Sequence, residues 1–298
     1  MKQDDNQIQS AMIMMAVAML VIPGIDAIAK WMSDSIAAGQ VTWSRFLFQT
    51  LFMFPLVIGL KGAPFASGVW VHVARGGMIA LATLLFFMAL KHLPIADAIA
   101  IFFVEPLLVT LLAAVFLKEG VGWRRLLAIA FGFIGALLVI RPNFEQFGWP
   151  AALPLGTALA FAIYILLTRR VSQREDPATM QFYAGIFGFV IMTIALLIGE
   201  HTQIDVLRVT WPNLTEFGLL ILLGLIATVC HLLVVNAFQR APVAVLAPFQ
   251  YIEIISATAL GLVFFGDFPD SLTWLGVAII VSSGMFVFYR ERKLSQQA

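Results

Sequence analysis

Charged residues are scarce in this sequence. Asp, Glu, Lys and Arg make up 12% of the 298 residues, whereas about a quarter is typical of a soluble domain. Hydrophobic residues make up 61%, which is more apolar surface than a soluble fold hides in its core. A net charge of +1 without a basic stripe argues against nucleic acid as a partner. Lipid is therefore the expected surrounding of much of the chain.

Cysteine and catalytic motifs are also nearly absent. The single cysteine, Cys230, excludes an intramolecular disulfide. We find no HExxH zinc motif, no GxSxG nucleophile elbow and no P-loop. Cys230 and His231 are adjacent, so on a helix they point about 100° apart, a poor nucleophile–base pair. We therefore expect that the protein binds no cofactor and no metal and that it is not an enzyme. The alternatives from other functional classes are an intramembrane enzyme and a lipid flippase.

Long apolar stretches dominate the rest of the chain. A membrane-spanning helix needs about 20 mostly apolar residues, and ten stretches meet this requirement. The N-terminal one is too long for a signal peptide and is expected to be retained. The sequence therefore predicts an all-α integral membrane protein with ten transmembrane helices. They comprise residues 10–31, 40–60, 69–91, 95–117, 123–141, 149–168, 179–199, 215–239, 243–265 and 273–290.

Lysine and arginine are unevenly distributed between alternate loops. With a cytoplasmic N-terminus, twelve of these residues lie in inner segments and four in outer ones. Cytoplasmic loops carry the excess of Lys and Arg in membrane proteins. We therefore predict a multi-pass protein of the bacterial inner (cytoplasmic) membrane, with cytoplasmic tails at 1–9 and 291–298.

The sequence contains a weak internal repeat. Residues 89–117 align without gaps onto 237–265 with eight identities, and Glu105 is paired with Glu253. The halves 10–141 and 149–290 would hold five helices each, so the second half enters the membrane in the opposite sense. Such inverted repeats are typical of transporters, whose substrate site lies near the midplane between the halves. The alternative is a duplicated structural membrane protein.

Two stretches resemble a known family. LKHLPIADAIAIFFVEPLLVTLLAAVFLKEGVGWRRLLAIAFGFIGALLVIRP resembles the first EamA-like domain of the drug/metabolite transporter superfamily, and NAFQRAPVAVLAPFQYIEIISATALGLVFFGDFPDSLTWLGVAIIVSSGMFVF resembles the second. The resemblance implies ten helices, cytoplasmic termini, alternating access and any of several substrates, including amino acids, nucleotide-type molecules, riboflavin and drugs. The sequence departs from the family pattern at Asp267, where glutamate is usual. The shared residues are Pro94, Ala96, Glu105, Pro106, Glu119, Pro242, Tyr251, Glu253 and Gly276.

Charged residues inside apolar stretches indicate candidate functional positions, because each costs roughly 2.5–3.5 kcal/mol on insertion scales. Glu105 and Glu253 lie near the centres of the fourth and ninth stretches. For each glutamate we consider two functional roles, binding a cationic group of the substrate or taking up a proton. The structural alternative is a protonated side chain that fixes helix packing. Rings and amides near them suit a flat or cationic ligand. The full predicted binding set is Glu105, Glu253, Tyr251, Gln250, Asn236, Phe103, Tyr164 and Trp43.

A second group of charges lies near the expected outer surface. Asp26 and Lys30 are four residues apart and share a helix face, and Arg45 lies at a similar depth on the next helix. We predict an ion-pair network of these three residues that acts as an outer gate. In the alternative, Lys30 reaches the lipid headgroups while Asp26 neutralises Arg45.

These patterns predict a secondary transporter that moves a small polar metabolite by alternating access, with proton coupling through a glutamate as a hypothesis. An amino acid or derivative is the first candidate substrate, because carboxylate and amine groups suit arginine and glutamate partners respectively. Riboflavin, or another flat metabolite or drug, is the second. The sequence is compatible with a monomer and with a homodimer.

Overall fold

The structure of the protein, a computed structural model, describes residues 2–58, 68–116, 123–171, 175–241 and 243–295. These residues are helical and contain no strand, so the all-α prediction is confirmed. Short 3₁₀ turns cover Trp149–Ala152 and Asp205–Leu207, and a π-helical turn covers Gly261–Phe265. The α-helices are α1 Lys2–Val21, α2 Pro23–Met32, α3 Ala38–Val57, α4 Val69–Leu90, α5 Ile95–Phe102, α6 Glu105–Phe116, α7 Trp123–Phe147, α8 Leu153–Val171, α9 Pro177–Thr202, α10 Leu214–Arg240, α11 Val243–Gln250, α12 Ile252–Leu260 and α13 Ser271–Ser295.

Many of these helices are suited to a membrane. In the part of the chain that the structure describes, seven stretches are long and apolar enough to cross a bilayer. The helix α3 is not one of them, since it carries the buried polar residues Gln40, Arg45 and Gln49. Two further apolar stretches, Leu126–Ile140 and Ser271–Val287, are shorter. The seven are Gln7–Met32, Val69–Leu90, Ile95–Phe116, Trp149–Val171, Pro177–Thr202, Leu214–Arg240 and Pro248–Phe265.

Three stretches that the sequence analysis treats as single helices are each divided in two. Pro23 begins α2 directly after α1 has ended at Val21. Pro106 lies in the first turn of α6 and Pro248 inside α11. Proline lacks the amide hydrogen that would continue the helical ladder, so the backbone is interrupted between α1 and α2, α5 and α6, and α11 and α12.

The interrupted helices lie together inside the bundle. The segment α12 packs against α1, α2 and α5, while α4 packs along α8 and α9, and α10 along α1 and α3. The pair α7 and α13 approaches closely at Gly135 and Gly276, where a Cβ on Gly276 would lie 2.6 Å from the Gly135 carbonyl oxygen. Small residues allow such contact between membrane helices.

The bundle has two ends. One contains the turns at 33–37, 91–94 and 203–213, and we call it the Lys30 end. The other contains the turns at 68 and 175–176, and we call it the His72 end. In the predicted orientation, the Lys30 end faces outward.

Candidate substrate-binding site

Three carboxylates lie beside the three helix interruptions. Asp26, Glu105 and Glu253 each lie in the first turn of the segment that follows a break, namely α2, α6 and α12. The first turn of a helix has free amide hydrogens and the positive end of the helix dipole, which favour a carboxylate there. The breaks therefore bring three acidic groups into the middle of the bundle.

An aromatic pair lies in the same breaks. Phe103 and Tyr251 pack edge to face with ring centroids 5.3 Å apart and an interplanar angle of 79°. The Tyr251 hydroxyl is buried and has no hydrogen-bond partner among the described residues. The hydroxyl lies within electrostatic range of Glu105. It also lies directly against Gly284, so a Cβ atom at position 284 would collide with it. The structure thus brings three predicted residues, Phe103, Tyr251 and Glu105, together.

The remaining acidic groups interact with one another and with Arg45 through space. Glu253 lies within electrostatic range of Asp26, and Asp26 within range of Arg45. Arg45 in turn interacts with Tyr164 and His231. Tyr164 is also buried, donates to Gln181 Oε1 at 3.3 Å and lies outside the Phe103–Tyr251 pair. Charged groups inside a membrane bundle usually interact with one another or with a polar ligand.

The helix α3 contributes Arg45, which the sequence analysis assigns to the predicted gate, and Gln49, which it missed. Arg45 Nη1 donates to Thr83 Oγ1 on α4, whereas Arg45 Nε has no partner among the described residues. One turn further along α3, Gln49 is 1% exposed, and neither polar atom of its amide has a partner there. The four-residue spacing between Arg45 and Gln49 is the sequence signal that identifies them as neighbours on one helix face.

Two predicted residues are engaged elsewhere. Trp43 donates from Nε1 to Thr193 Oγ1 at 2.8 Å and packs on Phe189 at 5.4 Å between centroids, so it joins α3 to α9. Asn236 donates to the Leu232 carbonyl of its own helix at 2.7 Å. Gln250 is half-buried at the end of α11, directly before the break. Of these, Gln250 is the one whose backbone position borders the Phe103–Tyr251 pair.

Comparison with known proteins identifies the family. The model of the EamA-like transporter family matches residues 9–141 and again 148–289. The chain belongs to this family. An S-adenosylmethionine uptake transporter of Rickettsia bellii is 26% identical over 269 residues, which are 90% of this chain and 89% of that protein. A riboflavin transporter of Rhizobium johnstonii is 28% identical over 288 residues, 94% of this chain and 91% of that protein.

A crystal structure with 17% sequence identity shares the fold of this EamA-like transporter. It superposes with a TM-score of 0.63 and covers 96% of this chain and 99% of that chain. Because the family and these relatives are transporters, the prediction of a small-metabolite transporter rather than an enzyme is confirmed.

At the Lys30 end of the EamA-like transporter, Lys30 contacts different residues from those in the predicted gate. Lys30 Nζ forms an ion pair with Asp267 Oδ2 at 3.0 Å and donates to the Leu93 carbonyl at 2.6 Å. It also lies 5.2 Å from the Phe265 ring centroid. The structure pairs Lys30 with Asp267 because the turn after α12 brings Asp267 to the end of α2. An outer gate of Asp26, Lys30 and Arg45 stays a prediction.

A buried ionic cluster closes the His72 end. Arg75 Nε donates to Thr168 Oγ1 at 3.0 Å, and Arg75 Nη1 lies 3.3 Å from His72 Nδ1. His72 Nε2 lies 3.0 Å from Glu175 Oε1. Arginine always donates, so His72 Nδ1 accepts and Nε2 carries the proton that is donated to Glu175. The cluster joins α4 to α8 and to the turn before α9, with Arg75 1% exposed.

A separate cavity of about 160 Å³ lies at the Lys30 end of the transporter. Its polar lining comes from the turns around Lys91, His92 and Asp205, with Trp149 at its edge. None of the three carboxylates at the helix breaks lines it. This cavity is distinct from the central site.

Proposed function

We propose that the chain is a secondary transporter that carries a small polar metabolite through a central cavity by alternating access. The observation that supports this most is the set of three carboxylates, Asp26, Glu105 and Glu253, at the breaks of three discontinuous helices. Interrupted helices near the midplane are where transporters bind substrates and coupling ions. A purely structural role would instead pair these acids with positive partners, whereas Glu253 lies within electrostatic range of the like-charged Asp26.

Two inverted five-helix halves, 10–141 and 149–290, are part of the proposal. The family model matches twice, once in each half. We match α8 with α1 and α2, α9 with α3, α10 with α4, α11 and α12 with α5 and α6, and α13 with α7. With this matching, the following helix contacts stay the same when the two halves are interchanged. The contact of α4 with α8 corresponds to that of α10 with α1, and the contact of α4 with α9 to that of α10 with α3. The contacts α3–α9 and α7–α13 are each unchanged by this interchange, because the two helices in each pair are matched with one another.

The proposed topology has ten transmembrane helices and both termini in the cytoplasm of a bacterium. The ten are α1 with α2, α3, α4, α5 with α6, α7, α8, α9, α10, α11 with α12, and α13. The excess of Lys and Arg at the His72 end supports this orientation.

An amino acid or amino-acid derivative is the first candidate substrate. Arg45 supplies a buried cation for a carboxylate, and the acids at the helix breaks supply partners for an amine. The similarity to a transporter of S-adenosylmethionine, itself an amino-acid derivative, supports this class. Riboflavin is the second candidate, favoured by the Phe103–Tyr251 pair and by the similarity to a riboflavin transporter.

The test is uptake into liposomes containing the purified full-length protein. Labelled amino acids, S-adenosylmethionine and riboflavin are offered separately, and a fluorescent phospholipid reports flipping. We expect accumulation of one soluble metabolite, weakened but still measurable in E105Q and E253Q and unchanged in E200Q, which makes the same change at an exposed carboxylate. Lipid movement without metabolite uptake would replace the proposal by a flippase.

A further inference from the structure

We propose that Arg45 and Gln49 form a subsite for the head group of an α-amino acid, that is, its carboxylate together with its ammonium group. This rests on the proposed transport function and narrows its substrate class. The subsite consists of three buried polar atoms without partners among the described residues: Arg45 Nε, Gln49 Nε2 and Gln49 Oε1. They lie one helical turn apart on α3.

The unpaired state of these atoms points to a ligand. A buried donor or acceptor without a partner costs about 1–3 kcal/mol, and most such groups in folded proteins are hydrogen-bonded. Leucine or phenylalanine, which together occupy seven of the 20 positions of α3, would avoid this cost at position 49. One face of α3 therefore carries two buried donors and one buried acceptor. A bound polar molecule would supply the hydrogen bonds that these atoms lack.

The atoms match an amino-acid head group. Arg45 Nε–H and Gln49 Nε2–H donate to the two oxygens of the carboxylate, while Gln49 Oε1 accepts from the adjacent ammonium group. The bond from Arg45 Nη1 to Thr83 on α4 fixes the guanidinium and leaves Nε free. Asp26, which lies within electrostatic range of Arg45, adds negative charge on the side where the ammonium would be placed.

The amide of Gln49 faces a glycine on α9. Across from α3, position 185 on α9 is glycine, and a Cβ there would lie 3.7 Å from Gln49 Nε2. Glycine at position 185 brings α9 close to α3 there, since the same Cβ would lie 2.8 Å from Thr50 Oγ1, and it places no side chain between α9 and the amide. The ligand's remaining part would extend towards the acids and rings at the helix breaks, so the subsite recognises the head group and leaves the side chain to other residues.

The experiment measures uptake by the full-length protein in liposomes, with S-adenosylmethionine and the twenty labelled L-amino acids as probes. The transported probe is then competed with its decarboxylated and its N-acetylated forms. We expect the wild type to prefer the intact head group at least about a hundredfold, and Q49L to lower the affinity about tenfold and reduce this preference. The control Q239L makes the same change at an exposed glutamine of α10 and should leave both unchanged.

Thermal unfolding separates ligand binding from a structural role. Because Gln49 has unpaired polar atoms, Q49L without ligand should unfold at or above the wild-type temperature, but the probe should no longer raise that temperature. A large loss of stability in Q49L would overturn the proposal. Transport of riboflavin alone, at the same rate in Q49L as in the wild type, would also overturn the proposed subsite. The proposed transport function would then still stand. Uptake of no metabolite by the wild type would overturn both.

Discussion

Phe103 and Tyr251 occupy equivalent positions when residues 89–117 are aligned on 237–265, and their rings pack on each other at 5.3 Å. Equivalent residues of two repeats meet where the symmetry axis that relates them passes between them. The acids Glu105 and Glu253 follow these rings by two positions in each repeat. The aromatic pair is therefore at the centre of the proposed exchange between the two halves.

Replacing Tyr251 by phenylalanine tests whether its hydroxyl serves the substrate. The hydroxyl is buried and unpaired among the described residues, so Y251F should keep or slightly raise the unfolding temperature. If the hydroxyl binds substrate, KM for uptake should rise about three- to tenfold, as expected for one lost hydrogen bond. The matched control Y289F removes a hydroxyl from an exposed tyrosine of α13. Unchanged uptake in Y251F would restrict the residue to packing.

The ion pair between Lys30 and Asp267 joins α2 to the turn before α13, and we predict that it holds the Lys30 end closed. The two side chains are 16% and 31% exposed, so each single change, K30M or D267N, should weaken closure by a modest factor of about two to ten. The double exchange K30D/D267K should restore transport partly. The control R208M removes an exposed cation at the same end.

Thiol labelling measures the closure directly. Cys230 is buried and is first replaced by alanine, and a cysteine is introduced at Ala98, which is fully buried one turn into α5. Faster labelling of A98C in the K30M background than in the R208M background is the expected result. Equal labelling rates in both would show that the ion pair does not control access.

The sequence draws attention to the acids at the helix breaks, but it does not reveal every contact that the fold makes around them. Glu105 and Glu253 stand out because charges in hydrocarbon are rare and costly, and Pro106 indicates the break beside the first. The partner of Lys30 could not be predicted, since Asp267 lies in the other half of the chain and meets Lys30 through packing alone. Gln49 was missed because an uncharged amide is not unusual in a membrane helix. Its importance appears when its polar atoms are found buried and unpaired.

The Glu175–His72–Arg75 cluster should be a stability determinant at the His72 end. Removing one member of this buried cluster leaves its hydrogen-bond partner unsatisfied, which is expected to cost about 1–3 kcal/mol and more where that partner is charged. R75M and E175Q should therefore lower the unfolding temperature in detergent, and R75K should not fully restore it because lysine lacks the planar fork of donors. The control R170M removes an exposed arginine at the same end. Unchanged unfolding temperatures in R75M would exclude this role.

Proton coupling, if it operates, should depend on the two glutamates at the helix breaks. Glutamine at either position keeps the shape of the side chain but cannot take up or release a proton. We expect an inward proton gradient to stimulate uptake by the wild type and by E200Q, and to have no effect on the double variant E105Q/E253Q. The single variants show which glutamate carries the proton, because one should retain the stimulation and the other should lose it. Uptake is measured at equal substrate concentration with and without an uncoupler. A gradient effect that persists in E105Q/E253Q would exclude both glutamates as the coupling site and direct attention to Asp26, the third acid at a helix break.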